Sequence, residues 1–408
     1  TYEYQAELIH DAQMLDHSYE NALIEYWKIF TANLIKCYEA GRLKGTESRI
    51  YDYSAKILDS INSDEFLKTV ILEEENGVNK TESKKISIIT EMFLLIRQVY
   101  HCWTSCDLGT SIKIMDHILN DILQISDIST FTLLPTSILF RGRVSDAQLD
   151  KSNMFHIPFM QAYKIRNQRF SITGQPILYL TDRVSGVFNE LSIRNREEYE
   201  KLHIAQYRLN PDKATWFDNI FDITINVNDL EQAAQADNFE AFNSCFCKFI
   251  LSCVCSFPNV RGHDKSFFVE EYVIPQLVTQ LVRKEFKGIR YNTINNYCNN
   301  ERCYQRNNYV NYAFFTEKKD ANNSIDINLR DRFIIDSPIT VLEVDDYSSL
   351  RNYSFSDVID MLEEHFDRIN GLMSIMSQIK GSSYNKDYNE EKDYYFKDGK
   401  YRYIKIES

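Results

Sequence analysis

The feature that most constrains the fold is a change in hydrophobic spacing near Pro135. Before it, from about Asp16 to Leu123, apolar residues recur every three or four positions, which is typical of amphipathic helices. Examples are Leu23, Trp27, Phe30 and Leu34. A second such run covers Ile86 to Trp103, and the polar segments Arg42–Thr46 and Glu73–Lys85 predict loops between helices. The sequence therefore predicts a helical bundle up to about residue 130.

After Pro135 the chain alternates short apolar runs, turns and longer helical runs, which is the pattern of an α+β domain. The strand candidates are Ile138–Arg141, Ile177–Thr181, Asp222–Ile225, Gly288–Asn292, Val310–Phe315 and Ile339–Val344. The helix candidates are Val184–Ile193, Ala236–Cys255 and Phe267–Phe286. Because Pro275 lies inside the last of these, we expect either a kink or a later helix start there.

The C-terminal part, from Ser354 onwards, consists of an amphipathic run followed by a polar tail. The amphipathic run Ser354–Ile379 predicts one more helix, and the polar tail from Lys380 predicts a loose extension or a hairpin around Asp398-Gly399. A chain of 408 residues exceeds the usual size of one domain. We therefore expect a helical regulatory or assembly domain at residues 1–130, an α+β domain at 131–350, and a C-terminal helix and polar tail at 351–408.

Charge, apolar run length and cysteine content indicate which classes of partner and which compartment to expect. A formal net charge of −13 argues against nucleic acid, which requires a concentrated basic surface. The longest apolar run, Phe246 to Phe257, contains Lys248 and is too short to cross a bilayer. Nine cysteines with no recognisable export signal fit a reducing compartment. We expect a cytoplasmic protein with neither a membrane nor a nucleic-acid partner.

Two groupings suggest chemistry but have simpler interpretations. Cys245, Cys247, Cys253 and Cys255 lie in a helical apolar run whose spacing differs from that of zinc sites, so a buried helix face without metal is expected. Arg97 and His101 lie one turn apart at the end of a predicted helix. A cation there stabilises the helix dipole, which favours a capping or core role over a catalytic one.

A third grouping suggests a nucleotide site. Arg141 ends an apolar strand and is followed by Gly142 and Arg143, and a planar guanidinium binds phosphate through two donors. Further along, Arg169 precedes a short strand with Tyr179, and a predicted helix then presents Glu190. A carboxylate near an arginine and a tyrosine suits cleavage of an N-glycosidic bond, because the departing base leaves an oxocarbenium-like centre. A surface ion pair for Arg141 and a solvated helix face for Glu190 remain the alternatives.

Taken as a set, these residues resemble the RES family, which is named for its Arg, Glu and Ser. The matching blocks are Leu139–Arg143, Arg169–Ser171 with Gly174–Leu180, Phe188–Glu190, Tyr272–Leu277 and Gly288–Tyr291. Their order and spacing cover about Thr136 to Val344. The resemblance implies an ADP-ribosyltransferase-like fold of the α+β class for residues 131–350, preceded by an α-helical N-terminal domain.

The resemblance also implies a site. The family Arg falls on Arg141, its Tyr on Tyr179 and its Glu on Glu190, which makes these three catalytic candidates. The family Ser is replaced, since Asn292-Thr293 follows Tyr291 here, and Thr293 would supply the hydroxyl with an added methyl group. The substrate-binding candidates are Arg169, Tyr291 and Arg143. No metal and no cofactor are expected, with NAD as the substrate.

The implied activity is NAD degradation by a bacterial toxin or phage-defence effector, either as a glycohydrolase or as a phosphorylase. Transfer of ADP-ribose to a macromolecule and a non-catalytic nucleotide-binding module on the same fold are the alternatives. Besides NAD, the resemblance leaves open an antitoxin or sensor protein as partner and a homo-oligomer. Replacement of Ser by Thr is the departure that bears most on the choice between a working site and a decayed one.

Overall fold

The computed structural model describes residues 88–125, 130–193, 195–212, 219–224, 239–255, 268–292, 309–319, 324–344, 355–380, 392–397 and 400–405. The helices predicted before residue 88 and the candidate Thr293 lie outside this part of the chain. Within it the protein is a mixed α+β structure around one large sheet, which confirms the predicted class. The boundary expected near residue 130 stays a prediction.

The central sheet has nine strands in the described residues, ordered β1-β5-β6-β7-β3-β2-β4-β8, with β9 also pairing with β4. Their bounds are β1 Thr130–Phe131, β2 Ile138–Val144, β3 Ile177–Thr181, β4 Leu202–Leu209, β5 Ile220–Asp222, β6 Gly288–Asn292, β7 Val310–Phe315, β8 Phe333–Ile335 and β9 Ile339–Thr340. Only β5 and β6 are parallel; the other pairs are antiparallel. A separate hairpin pairs β10, Lys392–Lys397, with β11, Lys400–Lys405.

Nine α-helices accompany these strands in the described residues. They are α1 Ile88–Thr104, α2 Leu108–His117, α3 Val184–Glu190, α4 Arg196–Glu200, α5 Phe239–Cys255, α6 Val273–Val282, α7 Ile327–Arg330, α8 Val341–Val344 and α9 Phe355–Lys380. A single π-helical turn, Ile118–Ile122, continues α2, and 3-10 turns span Lys151–Met154, Phe159–Lys164 and Glu270–Tyr272. Among the described residues, no helix has both the length and the apolar character needed to span a bilayer.

One face of the sheet, called face A, is covered by helices. Toward β5, β6 and β7, Phe221, Ile289 and Ala313 share a hydrophobic core with side chains of α1, α2, α5 and α6. Fully or almost fully buried members of these helices are Ile96, Met115, Leu251 and Val278. The helices just before residue 123 therefore pack directly on the sheet, because their apolar stripes find their burial there.

Toward β2 and β4, face A is covered by α3 and α9. Phe140 packs edge-on against Phe366 of α9, with ring centroids 5.1 Å apart, in a core that also buries Leu362. The buried Gln206 of β4 exchanges two amide hydrogen bonds with Asn370 of α9, at 2.9 and 3.0 Å. Burying each large apolar side chain contributes about 1.5–3 kcal/mol. The C-terminal helix is therefore an integral layer of the domain.

The opposite face, called face B, is covered by shorter elements. Tyr207, Phe314 and Leu178 lie in its core with Met154, Phe155, Leu329 and Phe333 from the turns and strands that fold over it. His156 is also buried here; its Nε2 accepts from the backbone N–H of Asp326 at 2.9 Å, and its Nδ1 contacts the carbonyl of Ile157 at 2.8 Å. An accepting Nε2 leaves the proton on Nδ1, so His156 is neutral with both nitrogens paired.

Most predicted elements are confirmed. Strands form at Ile177–Thr181, Gly288–Asn292 and Val310–Phe315 as predicted, and the strand beginning at Ile138 runs to Val144. The predicted helices over 236–255 and 354–379 form at Phe239–Cys255 and Phe355–Lys380. The later start expected from Pro275 is confirmed, because α6 begins at Val273 and Pro275 falls in its first turn, where backbone N–H groups have no helical partner.

Three element predictions are wrong in part. The run Ile339–Val344 is a strand only to Thr340, because the Glu343 carboxylate accepts from the Thr340 backbone N–H at 2.6 Å and starts a helix there. The strand predicted over Asp222–Ile225 ends at Asp222, whose carboxylate accepts from the Thr224 backbone N–H and closes a turn. The helix predicted over Val184–Ile193 ends at Glu190. The strand Leu202–Leu209 was not predicted at all.

Candidate functional site

Two glycines bring α3 close to the sheet. A Cβ added to Gly142 of β2 would lie 2.2 Å from Cγ1 of Val187, and one added to Gly186 of α3 would lie 2.2 Å from Oγ1 of Thr181. No side chain larger than hydrogen fits at either position without movement of the helix. Gly142 thus allows α3 to approach the strand. The close packing places the C-terminal end of α3 over strands β3 and β7.

Glu190 is the last residue of α3, and the helix ends there by a defined mechanism. Ile193 donates its backbone N–H to the Phe188 carbonyl and Ser192 donates to the Asn189 carbonyl, which is the Schellman pattern. Ser192 adopts φ of 54°, a left-handed conformation that favours glycine. A carboxylate in the last turn of a helix also opposes the helix dipole. Neither Ser192 at positive φ nor Glu190 in the last turn stabilises the end of the helix. The contacts of the Glu190 side chain are therefore the better explanation for its position.

The Glu190 carboxylate is exposed at the surface yet held by the sheet. Its Oε1 accepts a hydrogen bond of 2.7 Å from Nδ2 of Asn311, a buried residue of β7 on face A. Asn311 lies directly opposite Thr181 of β3 and Tyr291 of β6 in the strand register. A charge-assisted bond of this length fixes the orientation of the carboxylate while one side stays open to solvent.

Two tyrosines, Tyr291 of β6 and Tyr179 of β3, lie on face A in the strands on either side of β7, which carries Asn311. Burial raises the pKa of Tyr291 well above its ordinary value, and the negative charge of Glu190 raises it further. Burial likewise raises the pKa of Tyr179, against smaller opposing contributions from the Phe170 backbone and the Ser171 side chain. Both phenols are therefore neutral across the physiological range, which suits donation and ring contact rather than base catalysis.

Arg169 lies beside the same cluster in a tight turn before β3. Its guanidinium lies 4.9 Å from the ring centroid of Tyr272, and its Nη1 donates to the carbonyl of Cys255 at the end of α5. The turn is fixed by the buried Gln276 of α6, whose amide nitrogen donates to the carbonyl of Gln168 at 2.8 Å. The adjacent ring of Phe170 packs against Tyr291 with centroids 4.5 Å apart. Arg169 thus adds a positive charge close to Tyr179 and Tyr291.

Arg141 occupies a different position. Strand alternation from Leu139 places its side chain on face B, whereas Tyr179 packs with the core of face A. Strands β2 and β3 pair only at Phe140 and Thr181, and beyond that point the guanidinium donates to the backbone carbonyl of Tyr179 at 2.9 Å. Burial lowers the pKa of Arg141, and Arg143 lowers it further. Within the described residues no carboxylate pairs with Arg141, and its Nε has no hydrogen-bond partner.

The structure therefore brings four of the predicted site residues together on face A: Arg169, Tyr179, Glu190 and Tyr291. Arg141 lies on face B and is linked to this cluster by its bond to the Tyr179 backbone carbonyl, where β2 and β3 no longer pair. Arg143 is exposed and donates to the carbonyl of Asn153, away from the cluster. Thr293 lies outside the described residues, directly after β6.

The remaining groupings stay apart from this site. Cys247 and Cys255 are buried on α5, in agreement with the predicted helix face, and His101 is in the last turn of α1 as expected. In the part of the chain that the structure describes, no group of three or more His, Cys, Asp or Glu side chains is placed to hold a metal ion.

Asn311 is the site residue that sequence reasoning missed. The signal was present, since Asn311 is the one amide in the otherwise apolar and aromatic strand Val310–Phe315. A polar side chain at an inward strand position needs a hydrogen-bond partner, and such a partner is often functional. The partner, Glu190, is 121 residues away in the chain, so only the fold reveals the pair.

Comparison with known proteins gives a partial match. The chain is 28% identical over 200 residues to a protein of Bacillus subtilis (strain 168) named "Putative toxin YopC". The aligned region is 45% of this chain and 42% of that protein, so the chain spans less than half the length of this relative. No protein-family model matches the chain, and neither does any solved structure. The resemblance to the RES family thus stays a prediction from the residues named above.

Proposed function

We propose that this chain is a toxin that cleaves the bond between nicotinamide and ribose in NAD. The similarity to a protein named as a toxin supports the first half of this statement. The observation that supports the second half is the 2.7 Å bond between Asn311 and Glu190, which holds an exposed carboxylate in a fixed direction close to the buried Tyr291. A fixed carboxylate with one open side is what an oxocarbenium-like centre requires.

In this reaction the carbon–nitrogen bond breaks and its electron pair leaves with nicotinamide, which becomes neutral. Positive charge develops on the ribose carbon and ring oxygen, and the Glu190 carboxylate stabilises it electrostatically. A water molecule or a phosphate ion then attacks the same carbon. Water loses a proton to solvent in that step and gives ADP-ribose, whereas phosphate gives ADP-ribose phosphate.

The other residues bind and orient the substrate. The half-buried ring of Tyr179 provides a flat surface for the nicotinamide and ribose, and the buried Tyr291 contributes its neutral hydroxyl. The diphosphate is bound by Arg169 on one side and by Arg141 at the gap between β2 and β3, where the guanidinium has no carboxylate partner of its own. Thr293, next after β6, supplies a hydroxyl for the substrate or the attacking group. Arg143 adds a longer-range positive charge.

The test uses the purified full chain with NAD labelled in the adenine and, separately, in the nicotinamide. We expect nicotinamide to be released and the adenine label to remain in a small molecule. Reactions with and without inorganic phosphate separate hydrolysis from phosphorolysis by the mass of the product. Adenine label bound to macromolecules would replace the proposal with ADP-ribosyl transfer. Intact NAD at high enzyme concentration, with any co-purified protein removed by denaturation and refolding, would contradict cleavage.

A further inference from the structure

Asn311 is oriented by the chemistry of its partner. A carboxylate only accepts hydrogen bonds, so the amide atom bonded to Glu190 must be Nδ2, and Oδ1 is the neighbouring atom of the same planar amide. Asn311 is 2% exposed and lies in the row between Thr181 and Tyr291. The direction of its carbonyl group is therefore determined by the bond to Glu190.

That carbonyl oxygen has no hydrogen-bond partner within the described residues, although it is buried. An unpaired buried acceptor is rare, because it loses its bonds to water without replacement. The hydroxyl of Tyr179, also on face A, is buried as well, but the Phe170 backbone and the Ser171 side chain lie close enough to bond to it. Among the described residues, Oδ1 of Asn311 is therefore the buried side-chain acceptor left without a partner next to the Glu190 carboxylate.

We propose that Oδ1 of Asn311 is a specificity-determining acceptor for a hydroxyl of the ribose that carries the scissile bond. This inference rests on the proposed function, since it places that ribose next to Glu190. An acceptor needs a donor, and the donors closest to a ribose carbon stabilised by Glu190 are the ribose hydroxyls themselves. Asn311 would thus act twice: its Nδ2 positions the carboxylate, and its Oδ1 recognises the sugar.

The two roles predict different behaviour for two substitutions. Asn311→Ala removes both the donor and the acceptor. Asn311→Asp keeps an acceptor of the same shape but removes the donor and adds a negative charge beside Glu190, so the carboxylate loses its fixed orientation. Thr181→Val is the matched control, because Thr181 is a buried polar residue directly opposite Asn311 and makes no contact with Glu190 among the described hydrogen bonds.

The experiment compares kcat/KM for NAD with kcat/KM for two analogues, each lacking one hydroxyl of the nicotinamide ribose. For the wild-type chain we expect one analogue to be poorer by about ten- to a hundredfold, the scale of leaving one buried acceptor unpaired. Asn311→Ala should lose this discrimination along with most turnover. Asn311→Asp should lose turnover but keep the discrimination, and Thr181→Val should keep both.

A binding measurement separates this inference from the proposed function. ADP-ribose and ADP-ribose lacking the same hydroxyl are titrated into the wild-type chain and into Asn311→Ala in a calorimeter. If NAD is not cleaved but the wild-type chain alone discriminates between the two ligands, the inference stands and the reaction is wrong. Equal discrimination by Asn311→Ala and wild type would overturn the inference, even with active enzyme. Absence of both cleavage and ADP-ribose binding would overturn both.

Discussion

Two arginines on face B of the same sheet differ in their surroundings. Arg290 of β6 forms an ion pair with Asp222 at 2.8 Å, donates to Thr224 at 2.6 Å and lies 4.3 Å from the ring centroid of Phe131. Arg141 of β2 has no carboxylate partner in the described residues and donates only to a backbone carbonyl. Burial lowers the pKa of both, but Asp222 and Tyr312 together more than reverse this for Arg290.

The difference separates the part of the molecule that maintains the fold from the part suited to bind a ligand. The charge of a buried cation that has a carboxylate partner is compensated by the protein and needs no ligand. Within the described part of the chain, Arg141, a partly buried cation, has no such carboxylate, and Oδ1 of Asn311 likewise has no hydrogen-bond partner. Asn311 bonds to Glu190 directly, and Arg141 bonds to the backbone of Tyr179. The Arg290 cluster, composed of Arg290, Asp222, Thr224 and Tyr312, has no such role in our account.

The largest effect is expected at Glu190. Glu190→Gln keeps the size of the side chain and an acceptor for Asn311 but removes the charge, so NAD turnover should fall by about two to three orders of magnitude. NAD binding should change much less, because the charge matters most after the bond begins to break. Steady-state kinetics measure both. Glu364→Gln, at an exposed carboxylate of α9 paired with Arg368, is the control and should leave turnover unchanged.

The next effect sharpens the contrast between the arginines. Arg141→Lys keeps the charge but not the planar two-donor group, so kcat/KM should fall by about ten- to a hundredfold with little change in the free energy of unfolding. Steady-state kinetics and urea denaturation of the same preparation measure kcat/KM and the free energy of unfolding. A variant that loses stability while keeping full activity would show that Arg141 serves the fold, as Arg290 does.

The opposite result is expected for Arg290. Arg290→Met removes one member of a largely buried ion pair and leaves the Asp222 carboxylate alone, so the free energy of unfolding should fall by about 3 kcal/mol. Turnover per folded molecule should be retained. Asp222→Asn combined with Arg290→Met should recover part of the lost stability, because it removes the uncompensated charge. Lost turnover at unchanged stability would exchange the roles of the two arginines.

A smaller effect should appear in the pH dependence of stability. Burial lowers the pKa of His156 from its ordinary value of 6.5. Below pH 6.5 the unfolded chain binds a proton that the folded chain does not, so the stability contributed by the neutral ring is complete above pH 6.5 and decreases as the pH falls. Wild type should lose roughly 1 kcal/mol more than His156→Gln per pH unit in that range. If the free energies of unfolding of wild type and His156→Gln changed equally with pH, His156 would not contribute to the pH dependence.

Sequence patterns predicted the fold where one face of an element is apolar. Ile177–Thr181 and Val310–Phe315 have regular apolar runs between turns, and both form as predicted. Leu202–Leu209 is buried on both faces yet contains His203, Gln206 and Arg208, so neither alternation nor a continuous apolar run identifies it. The start of α8 was readable, because Thr340 and Glu343 have capping-box spacing, but the apolar residues between them favoured a strand.

The sequence predicted which residues belong to the site better than it predicted how they are arranged in space. Arg169, Tyr179, Glu190 and Tyr291 were identified from the sequence, and the fold brings them together across four separate segments. Asn311 was missed because its partner is distant in the chain. The placement of Arg141 on the other face of the sheet depends on strand register, which short-range patterns do not determine across separated strands.

The most direct test of the distinction between paired and unpaired groups is the stabilisation of the protein by ADP-ribose. The Tm is measured with and without ligand for the wild-type chain, Arg141→Lys and Arg290→Met, because a ligand that binds only the folded state raises the Tm. Arg290→Met should start lower but show the same increase as wild type, whereas Arg141→Lys should start near wild type and show little increase. An undiminished increase in Arg141→Lys, with a lost one in Arg290→Met, would contradict the account.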